Sequence, residues 1–141
     1  MRIAVDTNVL LAAFVARGLC ADLLALLIQR HLAGTVRVFV SRQVLTEFRR
    51  HLKGKFKASA AEIADALAVL DGFESGASRA MIDDSAIPDP DDVPILAAAV
   101  AFEADCFVTG DKALLALGQA ANMSIASPRQ LFEALAAGPP A

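Results

Sequence analysis

Apolar and polar positions divide the chain into short β-branched runs and longer amphipathic stretches. Arg2-Ile3-Ala4-Val5 is a compact run closed by Asp6, the pattern of a buried strand. Val36-Arg37-Val38-Phe39-Val40 is the clearest strand, bounded by Gly34 and by Ser41, a good helix N-cap. Cys106-Phe107-Val108 and Met123-Ser124-Ile125 read as two more, and Ser78 to Ile82 as a weak one. Between them lie helical stretches at Asn8 to Val15, at Ala21 to Leu32, and from Arg42 to about Leu52, the last with Val44, Leu45, Phe48 and Leu52 on one stripe. Ser59 and Glu62 form a capping box ahead of Ile63, Leu67 and Leu70. Pro94 fits the first turn of a helix running to Glu103, a helix follows at Lys112 to Leu117, and Ser127-Pro128 opens the last. Strands alternating with helices predict an α/β fold with a mainly parallel sheet. Its strand C-termini then share one edge, where such sheets bind ligands.

Composition narrows the class. The 141 residues are 56% apolar, enough for one globular core over residues 1–137, with a short flexible Gly-Pro-Pro tail at 138–141. Cys20 and Cys106 lack metal-ligand spacing and read as small buried hydrophobes of a reducing compartment. The longest apolar stretch, Val93 to Phe102, has ten residues and contains Pro94, so no segment is expected to span a membrane. Asp6 interrupts the N-terminal apolar run before a signal sequence can form, which makes a cytoplasmic protein the expectation.

Charge is uneven around a net −3. Arg42 to Lys57 holds six Lys or Arg side chains against the single acid Glu47, whereas Asp83 to Asp92 holds five acids and no base. Separate basic and acidic surfaces suit a polyanion and cations respectively, or are simply two solvated faces.

Four acids fall where strand ends converge. Asp6 follows the first strand, Asp111 follows the Cys106–Val108 strand, Glu47 lies about one and a half turns into the helix after the second, and Asp92 opens the helix before Ile95. Singly, Asp6, Asp92 and Asp111 serve equally well as N-caps, and Glu47 as an ion-pair partner of Arg50 or His51. Together they would repel one another unless a cation intervened. A hard divalent ion, Mg²⁺ or Mn²⁺, prefers such oxygen ligands and suits phosphoryl chemistry through an activated water. No Cys/His cluster, Walker-type loop or Ser/Cys/His nucleophile arrangement competes.

Four ordered blocks now resemble the PIN-domain ribonuclease family in its VapC-like toxin branch. They are Val5-Asp6-Thr7-Asn8-Val9-Leu10, Ser41-Arg42-Gln43-Val44-Leu45-Thr46-Glu47-Phe48, Asp89-Pro90-Asp91-Asp92-Val93-Pro94-Ile95-Leu96 and Val108-Thr109-Gly110-Asp111. The resemblance implies a three-layer α/β/α fold with a mainly parallel four- to five-stranded sheet. It implies a Mg²⁺- or Mn²⁺-dependent endoribonuclease, the toxin of a toxin–antitoxin pair, with RNA as substrate, a cognate antitoxin as partner and a homodimer as the assembly. Asp6, Glu47, Asp92 and Asp111 then become the acidic metal ligands, with Asn8, Ser41, Thr109 and Asp91 as polar supporters. Asp92 is preferred over Asp91 because it stands three residues before Ile95, the family's spacing. Arg49, Arg50 and Lys53 face away from the apolar stripe and become candidate RNA-phosphate contacts or, equally, a solubilising surface. With no Tyr or Trp, stacking on bases is limited to the Phe side chains.

Two rival readings remain at this level. One is a non-catalytic RNA- or protein-binding PIN module. The other is a phosphotransfer domain of the receiver or haloacid-dehalogenase type, although the latter needs a second Asp where Asn8 stands.

Overall fold

The computed structural model describes residues 1–78 and 81–138. Five strands, β1 (Arg2–Val5), β2 (Arg37–Phe39), β3 (Cys106–Val108), β4 (Gln119–Ala120) and β5 (Met123–Ala126), form one sheet in the order β2-β1-β3-β5-β4. Every pairing is parallel except β4 against β5. In β1, Ile3, Ala4 and Val5 are all buried, as are Cys106, Phe107 and Val108 in β3. Successive strand residues point to opposite faces, so continuous burial means that helices cover both sides, giving three α/β/α layers. The helices are α1 (Thr7–Val15), α2 (Leu19–Leu32), α3 (Arg42–Gly54), α4 (Ala60–Leu70), α5 (Asp92–Ala101), α6 (Lys112–Leu117) and α7 (Pro128–Ala136). Among the described residues no single helix is long and apolar enough to cross a membrane.

Local chemistry sets the helix starts. Ser41, Ser59 and Ser127 accept hydrogen bonds from Val44, Glu62 and Gln130 backbone N–H groups, and the last two complete capping boxes. Pro128 occupies the first turn of α7, where its missing N–H leaves no partner wanting.

Three expectations need correction. No strand forms at Ser78, Met81 or Ile82, and the other two residues of that run lie outside the described residues. The sheet edge is instead extended by Glu74, which bridges Phe39 in parallel while Arg37 pairs with its carboxylate. Second, α5 stops at Ala101 rather than Glu103, because Glu103 turns into the left-handed region at φ 64°. Third, β4 has no counterpart among the expected strands; it folds back on β5 through Ala121, at φ 50°. The expected tail at 138–141 lies, beyond Gly138, outside the described residues.

The chain passes from β1 to β2 on one side and then returns across β1 to β3 on the other. Connections therefore diverge between β1 and β3, the switch point at which doubly wound sheets open a crevice. Asp6 and Thr109 are the residues that leave these two strands, and Asp6 N–H donates to Val108 O at 3.0 Å. The site is built there.

Candidate active site

Asp6 sits at the centre, 5% exposed. Its Oδ1 accepts from Thr7 N–H at 2.8 Å, which caps α1. Its Oδ2 accepts from the Thr109 hydroxyl at 2.7 Å and from Asn8 Nδ2 at 3.3 Å. Burial pushes the Asp6 carboxyl pKa up, the Thr109 and Thr7 bonds pull it back, and the negative charges of Glu47 and Asp111 raise it further.

Asn8 and Thr109 tie this centre to the β3 loop. Asn8 Nδ2 donates to Thr109 Oγ1 at 3.2 Å, and Asn8 Oδ1 accepts from Gly110 N–H at 2.8 Å. Thr109, fully buried, also accepts from Asp111 N–H at 3.0 Å. A side chain on Gly110 would press on Asn8, with a Cβ 3.4 Å from its Oδ1. Asp111 is half-buried and caps α6 by accepting from Ala113 N–H at 2.9 Å. Capping and membership of the acid cluster are therefore both true of Asp6 and Asp111.

The remaining acids come from helices. Ser41 acts through its helix: its hydroxyl caps α3, and α3 then carries Glu47 inward, half-buried, to accept from the Thr7 hydroxyl at 2.8 Å. Asp92 is the first residue of α5 and not its cap; Asp91 holds the cap position without a side-chain capping bond. Asp91 N–H donates to Asp89 Oδ1 at 2.9 Å, and Gln43 Nε2 reaches Asp91 O at 3.3 Å, fastening this loop to α3. The Asp92 carboxyl is pushed up to about 6, first by burial and then by the charges of Asp6, Asp89, Asp111 and Glu47. Every charged group that shifts Asp92 is another carboxylate.

Sequence reasoning thus names the four acids that feel one another, together with Asn8 and Thr109. It misses Thr7, which holds Asp6 by its backbone and Glu47 by its side chain. The one available signal was a hydroxyl residue at the first helical position after a strand-end Asp. The basic residues are spread out. At about 100° per helical residue, Arg50 lies about 60° around α3 from Glu47, whereas Lys53 lies about 120° and Arg49 about 160° away. Arg49 and Lys53 line a groove with Ile63 and Leu67 of α4.

The donor chemistry fits a hard divalent ion: four carboxylates, supported by neutral hydroxyl and amide groups, with no cationic side chain among the groups that shift Asp6 or Asp92. Among the described residues no three His, Cys, Asp or Glu side chains stand close enough to enclose an ion. A surface cleft of about 530 Å³ is lined by Phe14, Val15, Phe56 and Val69 among others and by none of the four acids. Asp6 and Asp111 follow β1 and β3 at the C-terminal edge of the sheet.

Curated protein sequences yield no match. Among solved structures, a chain of VapBC2 from Rickettsia felis, bound to a DNA fragment from their promoter, is similar in fold. The TM-score is 0.57 at 19% identity, covering 90% of this chain and 98% of that one. The PIN domain profile matches residues 2–113, a span that contains all four acids and their hydrogen-bonding supporters. On that match, with the sheet order and the acid cluster beside it, the chain belongs to the PIN domain family.

Proposed function

We propose that residues 1–137 form a single metal-dependent endoribonuclease domain that hydrolyses RNA phosphodiester bonds, acting as the toxin of a toxin–antitoxin pair. The observation that carries the reading is the gathering of acids at the ends of β1 and β3, where Thr7 links Asp6 to Glu47 and Thr109 links Asp6 to Asp111, with Asp92 near enough to feel their charges. A protein that gathers acids without a cation of its own leaves a strong negative potential, which a divalent ion relieves.

Asp6, Glu47, Asp92 and Asp111 would hold Mg²⁺ or Mn²⁺. A bound ion of this kind supplies a water nucleophile at neutral pH and neutralises charge on the phosphate. The chain's own part is placement. Thr109 and Asn8 orient Asp6 through Oδ2, Ser41 sets the helix that carries Glu47, and Asp91 begins the turn that presents Asp92. Arg50, with Arg49 and Lys53 farther around the same helix, would attract RNA phosphates without reading sequence. The toxin role and a cognate antitoxin draw support from the family and from the similarity in fold to the VapBC2 chain; a homodimer follows from the sequence resemblance, and a cytoplasmic setting from the interrupted N-terminal apolar run.

The test is cleavage of single-stranded and structured RNA with Mn²⁺, comparing wild type with Asp6→Asn. Cleavage by the wild type, abolished by EDTA and in the folded variant, supports the reading. Undiminished cleavage by Asp6→Asn overturns the site. Metal binding without cleavage of any RNA leaves a non-catalytic binding module instead. Growth arrest on induction, relieved by an adjacently encoded partner, tests the toxin role, and normal growth with soluble protein counts against it.

A further inference from the structure

We infer that Thr7 is a positioning residue that fixes the Glu47 carboxylate against Asp6, so that two of the four acids are set by one rigid link. The inference rests on the metal-site reading above and adds to it a residue that reading leaves without a role.

Thr7 is buried, 6% exposed, at the first position of α1 directly after Asp6. Its hydroxyl donates to Glu47 Oε2 at 2.8 Å, across 40 residues of sequence, while its N–H donates to Asp6 Oδ1 at 2.8 Å. A single peptide unit therefore separates one carboxylate from the anchor of the other. The need for an anchor follows from charge and from length. Glu47 and Asp6 repel each other, as the upward push of Glu47 on Asp6 records. Glutamate also has three side-chain torsions, and on a half-exposed helix face repulsion would turn it out to water. A charge-assisted bond from a buried hydroxyl opposes that turn. The hydroxyl belongs to a buried side chain at the start of α1, so it does not follow Glu47 outward. Thr7 bears no charge to compete with a cation, and its two hydrogen bonds in the site go to the two acids.

The experiment measures Mn²⁺ binding by calorimetry and RNA cleavage on the full chain. It compares wild type, Thr7→Val, Thr7→Ser, Glu47→Gln and the double variant Thr7→Val/Glu47→Gln. Valine keeps the shape and removes the donor; serine restores it. Thr7→Val is expected to weaken Mn²⁺ binding about 10- to 100-fold, the usual effect of losing a group that orients a metal ligand. At saturating Mn²⁺ its KM for RNA stays at the wild-type value, and Thr7→Ser stays close to wild type in both assays. In the Glu47→Gln background, Thr7→Val brings no further loss. If Thr7→Val does not fold, Thr7→Ala removes the same donor from a smaller side chain and is held to the same outcome. Wild-type Mn²⁺ affinity in either variant overturns the inference, as does an equal loss with Glu47 already replaced, because Thr7 then acts elsewhere. Absence of Mn²⁺ binding by the wild type removes the metal-site reading itself, and this inference with it.

Discussion

Thr109 donates its hydroxyl to Asp6 at 2.7 Å across 103 residues of sequence, joining the ends of β1 and β3 at the point where the sheet's connections diverge. The same oxygen accepts from Asn8 Nδ2 and from Asp111 N–H, so one fully buried hydroxyl serves three neighbours. Thr109→Val keeps the volume and leaves all three without that partner. Unpaired buried polar groups cost about 1–3 kcal/mol, and a loss of that order in urea unfolding at pH 7 is expected. The loss should shrink on acidification, because the bond favours the ionised form of Asp6. Cleavage should fall about 10- to 100-fold, as for other groups that orient metal ligands. Wild-type stability and turnover in this variant would contradict the role.

Asp92 makes stability depend on pH with an unusual sign. Its folded pKa of about 6 stands above the ordinary 3.8, so between those values the native state binds more protons than the unfolded one. Stability therefore falls as pH rises through that window, and Asp6, also raised, acts in the same direction. The lowered carboxyls of Glu62, Glu74 and Asp83 have the opposite sign, but below their ordinary values of 4.5, 4.5 and 3.8. The metal-free protein should thus lose stability through Asp92 as pH rises from about 4.5 to about 6, with Asp6 acting in the same direction and a shallower slope in Asp92→Asn. Saturating Mn²⁺ should reverse the slope, since deprotonated carboxylates bind the ion and stabilise the fold by mass action. Urea midpoints across this range, with and without Mn²⁺, check both signs. A flat profile, or one unchanged in Asp92→Asn, would show that the acids do not feel one another.

What was legible in the sequence was whatever local chemistry dictates. The Ser59/Glu62 and Ser127-Pro128 starts are readable because the cap and its partner are three residues apart. The buried runs of β1 and β3 are readable because parallel strands covered on both faces are apolar at every position. β4 was hidden because two residues carry no period, and its turn uses Ala121 at positive φ, where no glycine or asparagine marks the place. The Glu74 edge was hidden because one bridge beside Phe39 depends on α4 delivering the chain there. In the site, the acids could be named from strand ends, but Thr7 to Glu47 could not. That bond depends on how α1 crosses α3, a tertiary fact without a local signature.

The position of Arg50 predicts an uneven RNA footprint on α3. It lies on the flank of the helix nearest Glu47, whereas Arg49 and Lys53 open into the groove with α4. In the Asp6→Asn background RNA stays intact, so binding can be read alone. Removing one cationic partner of a phosphate should then flatten the log–log dependence of affinity on salt by about 0.7. Arg50→Ala should approach that change, and Arg49→Ala and Lys53→Ala should each give less. Anisotropy of a labelled single-stranded RNA between about 50 and 200 mM salt reads the slopes. Equal slopes in all three variants and the parent would show that α3 does not carry the RNA.

His31, which has no metal-binding partner at useful sequence spacing, has a structural task that the hydrogen bonds define. Val38 N–H donates to its Nδ1 at 3.1 Å, and its Nε2 stands 2.9 Å from Gly72 O. Nδ1 must carry the lone pair to accept from an amide, so Nε2 carries the proton and donates to the carbonyl. The ring also packs edge-on against Phe73, with centroids 5.4 Å apart. His31 thereby fastens α2 to edge strand β2 and to the segment that follows α4. His31→Ala would leave the N–H of fully buried Val38 without its acceptor, and a loss of about 1–3 kcal/mol is expected. The acids are held by Thr7, Asn8 and Thr109, and the hydrogen bonds of His31 go to none of these. Mn²⁺ affinity and turnover per folded molecule should therefore match the wild type while the urea midpoint falls. A His31→Ala protein that keeps its stability but loses Mn²⁺ would reverse this assignment.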